Sequence, residues 1–105
     1  MNRLSVIVIT RNEEHNQARC LESVRFADEI VVVDSHSTDR TAEVARRFDA
    51  QVFAIDWSGY GAAKQFALER ATGDWVLSID ADEQLSLELA KEIQAIICDS
   101  AAYTG

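Results

Sequence analysis

The chain has 105 residues, of which 48% are hydrophobic and 27% charged, the composition of one folded domain. With 18 acidic residues against 10 basic ones its net charge is −8, which disfavours nonspecific binding to nucleic acid. No apolar stretch reaches the roughly 20 residues that span a bilayer, and we expect no signal peptide. Cys20 and Cys98 lie far apart and form no CxxC pair, which favours two thiols in a reducing compartment over a disulfide or a zinc site, so we expect a cytoplasmic protein.

Strand and helix patterns alternate along the chain. Apolar runs over 4–9, 30–33, 51–55 and 75–79 predict strands, and the first and last of these are predicted to be buried. Helix patterns follow each run: Asn12 is a candidate cap for the first, the second extends to about Phe48, Gly73 is expected to end the third, and Ser86 to cap the fourth. The apolar side of that last helix holds Leu89, Ile93, Ile96 and Ile97.

Strands joined by single helices imply right-handed crossovers. The sequence therefore predicts an α/β fold, a Rossmann-like three-layer α/β/α arrangement with a mainly parallel sheet. No internal boundary is visible, so residues 1–105 are predicted to form a single domain. Because such a series normally continues after a helix, we expect this domain to be a truncated portion of a longer enzyme.

The most informative segment is an apolar strand followed by three carboxylates, Asp80, Asp82 and Glu83. Asp80 and Asp82 are two residues apart, so in an extended segment both point to one side. Carboxylates this close repel one another unless a cation neutralises them, and hard divalent cations prefer oxygen ligands and bridge to phosphate. The pattern favours a metal and diphosphate site over the alternative, an acidic helix N-terminus.

Other polar residues follow strand ends or open helices. Asp34 ends an apolar strand, where its carboxylate can accept a hydrogen bond from a base or a ribose, or form a turn. Lys64, predicted to lie near the start of a helix in the loop after two glycines, can reach a base carbonyl or a phosphate, or be a solvated surface lysine. Trp57 and Tyr60 are interpreted as loop packing, with contact to a sugar as the alternative. Carboxyl ends of parallel strands share one edge, so we expect these loops to converge.

Four segments in register resemble family 2 glycosyltransferases: SVIVITRNEE (5–14), VDSHSTD (33–39), ATGDWV (71–76) and DADE (80–83). The segment DWSGYG (56–61), with Lys64 and Gln65 after it, is similar to the branch that adds sugars to lipopolysaccharide core. The resemblance covers nearly the whole chain and implies the nucleotide-binding half of a GT-A fold.

The resemblance also implies roles for individual residues. Those implied to bind the donor are Thr10, Arg11, Asn12, Asp34, Lys64 and Asp80. Of these, the first three lie in the loop that contacts the nucleoside, and Asp34 matches the acid that binds uracil. Asp80 and Asp82 match the DXD motif, with Asp82 holding Mg²⁺ or Mn²⁺ on the diphosphate. Arg11 replaces the aromatic residue that stacks on the base in many members, and His36 replaces a small residue.

The implied reaction is inverting transfer of a hexose from a nucleoside-diphosphate sugar, expected to be UDP-hexose, to a glycan or glycolipid acceptor. It implies a role in lipopolysaccharide or other cell-envelope synthesis. The general base of the family lies beyond the DXD motif, so it is expected beyond residue 105 and no acid of this chain is assigned to it. Peripheral association with the inner face of the cytoplasmic membrane, through further segments, is compatible with this role.

Two alternatives stay open from the sequence. An apolar strand that ends in DxD also opens phosphatases of the haloacid dehalogenase type, whose first acid is a nucleophile. In those enzymes the motif is near the N-terminus and continues into Gly-Thr, whereas here it continues into Glu83 and Gln84. The other alternative is a non-catalytic α/β domain that only binds a nucleotide or assembles with other proteins.

Overall fold

A computed structural model describes residues 2–103, with side chains described up to residue 98. Strands and helices alternate in the order β1 (Leu4–Thr10), α1 (Glu14–Ser23), β2 (Glu29–Asp34), α2 (Thr41–Arg46), β3 (Gln51–Ala54), α3 (Tyr60–Arg70), β4 (Trp75–Asp80) and α4 (Leu87–Tyr103). The strands form one sheet in the order β3-β2-β1-β4, with all three neighbouring pairs parallel. The predicted α/β fold with a parallel sheet is confirmed.

Apolar clusters cover both faces of the two central strands. Alternate residues of β1 point to opposite faces, so Val6 and Val8 pack with α1, α2 and α4, whereas Ile7 packs with α3. In β2, Val32 belongs to the first cluster and Val31 to the second. Strands buried on both faces are continuous apolar runs rather than alternating ones, which explains why the sequence identified them.

The prediction of a buried fourth strand is wrong, because β4 lies at an edge of the sheet. Ile79 is buried against the cluster that contains α1, but Val76 is 42% exposed and Ser78 is also exposed. The reason is that α3 packs against β1 and β2 and leaves open the face of β4 that carries Val76 and Ser78. On α4, Ile93 and Ile97 contact the core. The remaining apolar residues of its predicted face, Leu89 and Ile96, are exposed.

Two predictions about helix ends are also corrected. Asn12 does not cap α1, because it adopts a left-handed conformation (φ 52°) and its Oδ1 accepts the backbone N–H of Thr38 at 2.8 Å. The third helix begins at Tyr60, so Lys64 lies within the helix and not in the loop before it. Ser86 does cap α4, since its Oγ accepts the backbone N–H of Leu89 at 3.1 Å.

Helices α2 and α3 end earlier than predicted. Helix α2 ends at Arg46, and Phe48 follows it and packs against the core. Helix α3 ends at Arg70, before Gly73, which therefore has a different role from the predicted helix stop. Among residues 2–103, no helix is both long and apolar enough to cross a membrane.

Candidate functional site

The parallel register brings the polar ends of three strands to one edge of the sheet. Thr10 of β1 pairs with Asp34 of β2, and Ile9 pairs with Asp80 of β4. Asp34 and Asp80 therefore lie on either side of β1, and their backbones are about 10 Å apart at the usual spacing between strands. In open α/β sheets ligands bind at the carboxyl ends of the strands, so this edge is the candidate site.

A cavity of about 380 Å³ opens at this edge. Its walls come from the loops after β1 and β4 and from the segment that opens α3. The lining residues are Ile9, Thr10, Arg11, Glu13, Trp57, Tyr60, Asp80, Ala81 and Asp82. Four residues that the sequence assigned to the site, Thr10, Arg11, Asp80 and Asp82, thus line one cavity. Asn12, Asp34 and Lys64 are not among its lining residues.

Hydrogen bonds to Tyr60 and Glu83 hold Asp80 at the end of β4. The Tyr60 hydroxyl donates to Oδ1 of Asp80 at 2.9 Å, and the backbone N–H of Asp80 donates to Oε1 of Glu83 at 2.9 Å. The hydrogen bond to Asp80 raises the pKa of the Tyr60 phenol, and burial and the negative charges of Asp80 and Glu83 add to this effect. The phenol therefore stays protonated at neutral pH and remains a donor to Asp80.

Lys64 contacts the same tyrosine rather than the cavity. Its Nζ lies 5.0 Å from the centre of the Tyr60 ring, within the range of a cation–π interaction. Tyr60 thus contacts an acid through its hydroxyl and a base through its ring. The sequence interpretation of Tyr60 and Trp57 as loop packing is incomplete, since both line the cavity and are 46% and 51% exposed. The signal in the sequence that could have indicated their place in the cavity wall was two aromatic residues close to the glycines of one loop.

Asp34 forms the turn that the sequence offered as its alternative role. It is only 4% exposed, its Oδ2 accepts the backbone N–H of Ser37 at 2.9 Å, and its Oδ1 accepts the Ser37 hydroxyl at 2.5 Å. A carboxylate has about four acceptor positions, so this turn leaves part of its capacity free. His36, in the same turn, does not line the cavity, and its Nε2 lies 2.8 Å from Oδ1 of Asp56.

Hydrogen bonds join the loops that follow β1 and β2. The backbone N–H of Asn12 donates to Oγ of Ser37 at 2.8 Å, in addition to the Asn12 contact with Thr38. The backbone N–H of Glu13 donates to Oγ1 of Thr41 at 2.8 Å. Asn12 therefore orders the loop that carries Arg11 into the cavity wall. The sequence showed the hydroxyl-rich segment 35–39 but not which loop it would contact.

Over the described residues, no three His, Cys, Asp or Glu side chains are arranged to hold a metal ion by themselves. Asp82 is exposed in the cavity wall, and one oxygen of Glu83 already accepts a hydrogen bond from Asp80. Magnesium-type sites commonly use one or two carboxylates and complete their shell with substrate phosphates and water. The oxygen donors of Asp80 and Asp82 fit a cation of this kind that is bound together with a diphosphate.

Sequence comparison relates the chain to known proteins. The sequence profile of Glycosyl transferase family 2 matches residues 5–104. An uncharacterized glycosyltransferase of Rickettsia typhi is 46% identical over 97 residues, which cover 91% of this chain and 33% of the relative. The lipopolysaccharide core biosynthesis glycosyltransferase LpsC of Rhizobium meliloti is 37% identical over an alignment 107 residues long, which covers 97% of this chain and 40% of LpsC. The chain thus spans about a third of the length of the first of these relatives.

Solved structures share the fold. Residues 1–349 of TarS from S. aureus superpose with a TM-score of 0.80 at 31% identity, covering 92% of this chain and 32% of that one. Glucosyl-3-phosphoglycerate synthase from Mycobacterium tuberculosis, solved with Mn²⁺, UDP and glucosyl-3-phosphoglycerate, superposes with a TM-score of 0.68 at 27% identity, covering 79% of this chain and 36% of that one.

Proposed function

The chain belongs to glycosyltransferase family 2, and we propose that residues 1–105 form the single donor-binding domain of a longer glycosyltransferase. The observation that supports this most is the parallel register, which places Asp80 beside the end of β1 and lets Asp80 and Asp82 share a cavity with Arg11. The volume of about 380 Å³ is within the range of small-molecule sites. A nucleoside-diphosphate sugar has the phosphates and hydroxyls that these side chains can bind.

The proposed ligand is UDP-hexose together with Mg²⁺ or Mn²⁺. The presence of UDP and Mn²⁺ in the related synthase supports this choice. Asp82 would hold the cation and Asp80 a ribose hydroxyl or the same cation, while Thr10 and Arg11 contact the nucleoside. When bound, the cation supplies positive charge to the departing diphosphate.

Three further assignments stay predictions. Asn12 would contact the nucleoside from the loop that its hydrogen bond to Thr38 orders. Asp34 would contact the uracil through the acceptor positions that Ser37 leaves free. Lys64 would reach a base carbonyl or a phosphate from its place against the Tyr60 ring. None of these three side chains lines the cavity, so each contact requires the ligand to extend past the cavity wall.

For the longer protein we propose inverting transfer of the hexose, in which an acceptor hydroxyl attacks C1 of the sugar. The general base that removes the acceptor proton lies outside this chain, whose own residues bind and orient the donor. A glycan or glycolipid of the cell envelope, such as lipopolysaccharide, is the proposed acceptor, supported by the likeness to LpsC. Both Cys20 and Cys98 are free thiols, in keeping with a cytoplasmic site, including the inner face of the membrane.

The alternatives are less well supported. In a phosphatase Asp80 would be the nucleophile, but the chain belongs to another family. A non-catalytic nucleotide-binding domain would share the donor site and differ only in lacking transfer. A test for sugar transfer by the longer protein to an envelope acceptor therefore separates the glycosyltransferase from a domain that only binds the nucleotide.

Calorimetric titration of the chain with UDP tests the donor site. We expect binding with Mn²⁺ or Mg²⁺ and at least tenfold weaker binding when a chelator removes the metal, because the cation bridges the acids to the diphosphate. Titration with ADP and GDP measures the base preference. No binding of UDP at millimolar concentration with either metal would contradict the proposed function.

A further inference from the structure

Tyr60 connects helix α3, which carries Lys64, to strand β4, which ends in Asp80. It is the first residue of α3 and follows Gly59, whose φ of 107° is a left-handed value that favours glycine. Helix α3 packs against β1 and β2, whereas Asp80 ends the edge strand β4. The hydrogen bond from the Tyr60 hydroxyl to Oδ1 of Asp80 therefore joins the helix to a strand at the open side of the sheet.

This hydrogen bond leaves one oxygen of Asp80 available. The Asp80 backbone is fixed by Glu83 and Oδ1 by Tyr60, while Oδ2 has no hydrogen-bond partner among the described residues. A carboxylate that is free to rotate presents either oxygen in many directions, and ordering it costs conformational entropy when a ligand binds. With Oδ1 already engaged, part of that ordering is complete before the ligand arrives.

The ring of Tyr60 also contacts Lys64. The Lys64 ammonium lies over the ring face, 5.0 Å from its centre, and the described residues show no ion pair between Lys64 and Asp80. If the two charges paired directly, each would be less available to a ligand that carries both phosphates and hydroxyls. The aromatic ring therefore contacts the Lys64 ammonium without neutralising its charge.

We propose that Tyr60 is a positioning residue for the sugar-nucleotide donor. Its hydroxyl fixes Asp80 so that Oδ2 is left for the ligand, and its ring holds the Lys64 ammonium. The proposal rests on the proposed function, because it takes the donor to be the ligand of Asp80. Its structural part, the ordering of Asp80 by the tyrosine hydroxyl, is a property of the protein without ligand.

The structural part is tested in the free chain by NMR. Tyr60→Phe removes the hydroxyl and keeps the ring, so we expect a changed ¹³C shift of the Asp80 carboxyl and changed amide shifts over 80–83, with the rest of the spectrum preserved. Trp57→Phe is the matched control, since Trp57 lines the same cavity without a hydrogen bond to Asp80. An Asp80 carboxyl shift that Tyr60→Phe leaves unchanged would overturn the proposal, whether or not UDP binds.

The functional part is tested by calorimetry with UDP and Mn²⁺. Tyr60→Phe should weaken binding about fivefold, the effect of a partly exposed hydrogen bond to a charged group, and Tyr60→Leu should weaken it further. In a double-mutant cycle, Tyr60→Phe should add little to Asp80→Asn, whereas Trp57→Phe should add its full effect. Additive effects of Tyr60→Phe and Asp80→Asn would overturn the positioning role. Absence of UDP binding by the unmodified chain would overturn the proposed function and the donor role of Tyr60 with it, while the NMR result on Asp80 would stand independently.

Discussion

Gly73 donates its backbone N–H to Oγ of Ser5 over 2.8 Å. This contact lies where the strands begin, at the end of the sheet opposite the candidate site. A Cβ at Gly73 would lie 2.6 Å from that oxygen and 2.9 Å from the carbonyl oxygen of Arg3. Contacts this short do not occur between real atoms of these types, and one of the two partners is backbone. Glycine is therefore required here by the close approach of the α3–β4 connection to β1, and not by the end of a helix.

We predict that Gly73→Ala lowers the free energy of unfolding by about 1–3 kcal/mol, the usual cost of forcing extra atoms into a packed site. Gly61→Ala is the matched control: nothing lies within 4 Å of its Cβ position and it is inside α3, where alanine is favoured by up to about 1 kcal/mol. Urea denaturation measures both. Equal stability of the two variants would show that the close approach at Gly73 is not present in solution.

Glu29 connects β1 and the segment before β4 at the same end of the sheet. Its Oε2 accepts hydrogen bonds from the Ser5 hydroxyl at 2.5 Å and from the backbone N–H of Thr72 at 2.8 Å. Burial acts to raise the pKa of the Glu29 carboxyl, but these hydrogen bonds outweigh it and the pKa is lowered from its usual 4.5. A lowered pKa means that the carboxylate stabilises the folded state above its ordinary pKa and that this contribution is lost as the pH falls through the folded value.

We therefore predict that Glu29→Gln destabilises the chain by about 1–3 kcal/mol at pH 7, since it leaves buried donors poorly paired. The difference from the unmodified chain should shrink as the pH falls from about 4.5, where the Glu29 carboxyl of the unfolded chain becomes protonated, through the lower pKa of the folded state. Urea denaturation at several pH values measures this. Glu92→Gln, on the exposed surface of α4, is the control and should show no such pH-dependent difference. A loss of stability that stays constant from pH 7 to pH 3 would contradict the role of the ionised form.

Local signals were enough to predict the order of elements. The runs of β1 and β2 are apolar on both faces, and Ser86 has the hydroxyl that a helix start requires. The exposure of Val76 could not be predicted in this way, because it depends on which strands α3 covers, a contact between distant parts of the chain. The prediction that Asn12 caps a helix is wrong for the same reason. Its residue type favours capping, but its hydrogen-bond partner Thr38 is 26 residues away.

The candidate site was predictable to the extent that parallel strands end at a common edge. That geometry brought Thr10, Asp34 and Asp80 together without any knowledge of side chains. It could not show that Asp34 is engaged by Ser37, nor that Tyr60 bonds to Asp80, because both depend on rotamers and on where a helix begins. The missed residues are thus those whose roles arise from side-chain geometry rather than from position in the sheet.

Ser37 joins the loops after β1 and β2, since its hydroxyl donates to Asp34 and accepts the backbone N–H of Asn12. We predict that Ser37→Ala lowers stability by about 1 kcal/mol and weakens UDP binding, because the loop that carries Arg11 loses its anchor. The control is Ser35→Ala, whose hydroxyl makes no hydrogen bond within the described part of the chain and whose loss should have a smaller effect. Chemical denaturation and calorimetry measure the two effects. The same stability for both variants would argue against this bridge.

The two cysteines should differ strongly in reactivity. Cys20 is fully buried, and burial, with the negative charges of Glu83 and Asp82, raises the pKa of its thiol to about 11. Cys98 is exposed. Because the thiolate is the reactive form, we predict that iodoacetamide at pH 8 modifies Cys98 and leaves Cys20 unmodified until denaturant is added. Peptide mass spectrometry measures the two sites, and Cys98→Ser should abolish the fast reaction. Equal labelling of both thiols in the native chain would contradict the burial of Cys20.

Asp82 provides the most direct test of the metal assignment. Its side chain is exposed in the cavity wall, two residues after Asp80, so its replacement changes the proposed metal site without opening the core. We predict that Asp82→Asn weakens UDP binding with Mn²⁺ at least tenfold and leaves the weak metal-free binding unchanged, because only the cation-bridged part of the interaction depends on this carboxylate. Glu92→Gln removes the same charge from the exposed surface of α4 and should leave both affinities unchanged, which separates metal ligation from a general effect of the net charge of −8. If Asp82→Asn binds UDP with Mn²⁺ as tightly as the unmodified chain does, the cation is held elsewhere, and Asp80 with Glu83 becomes the pair to test.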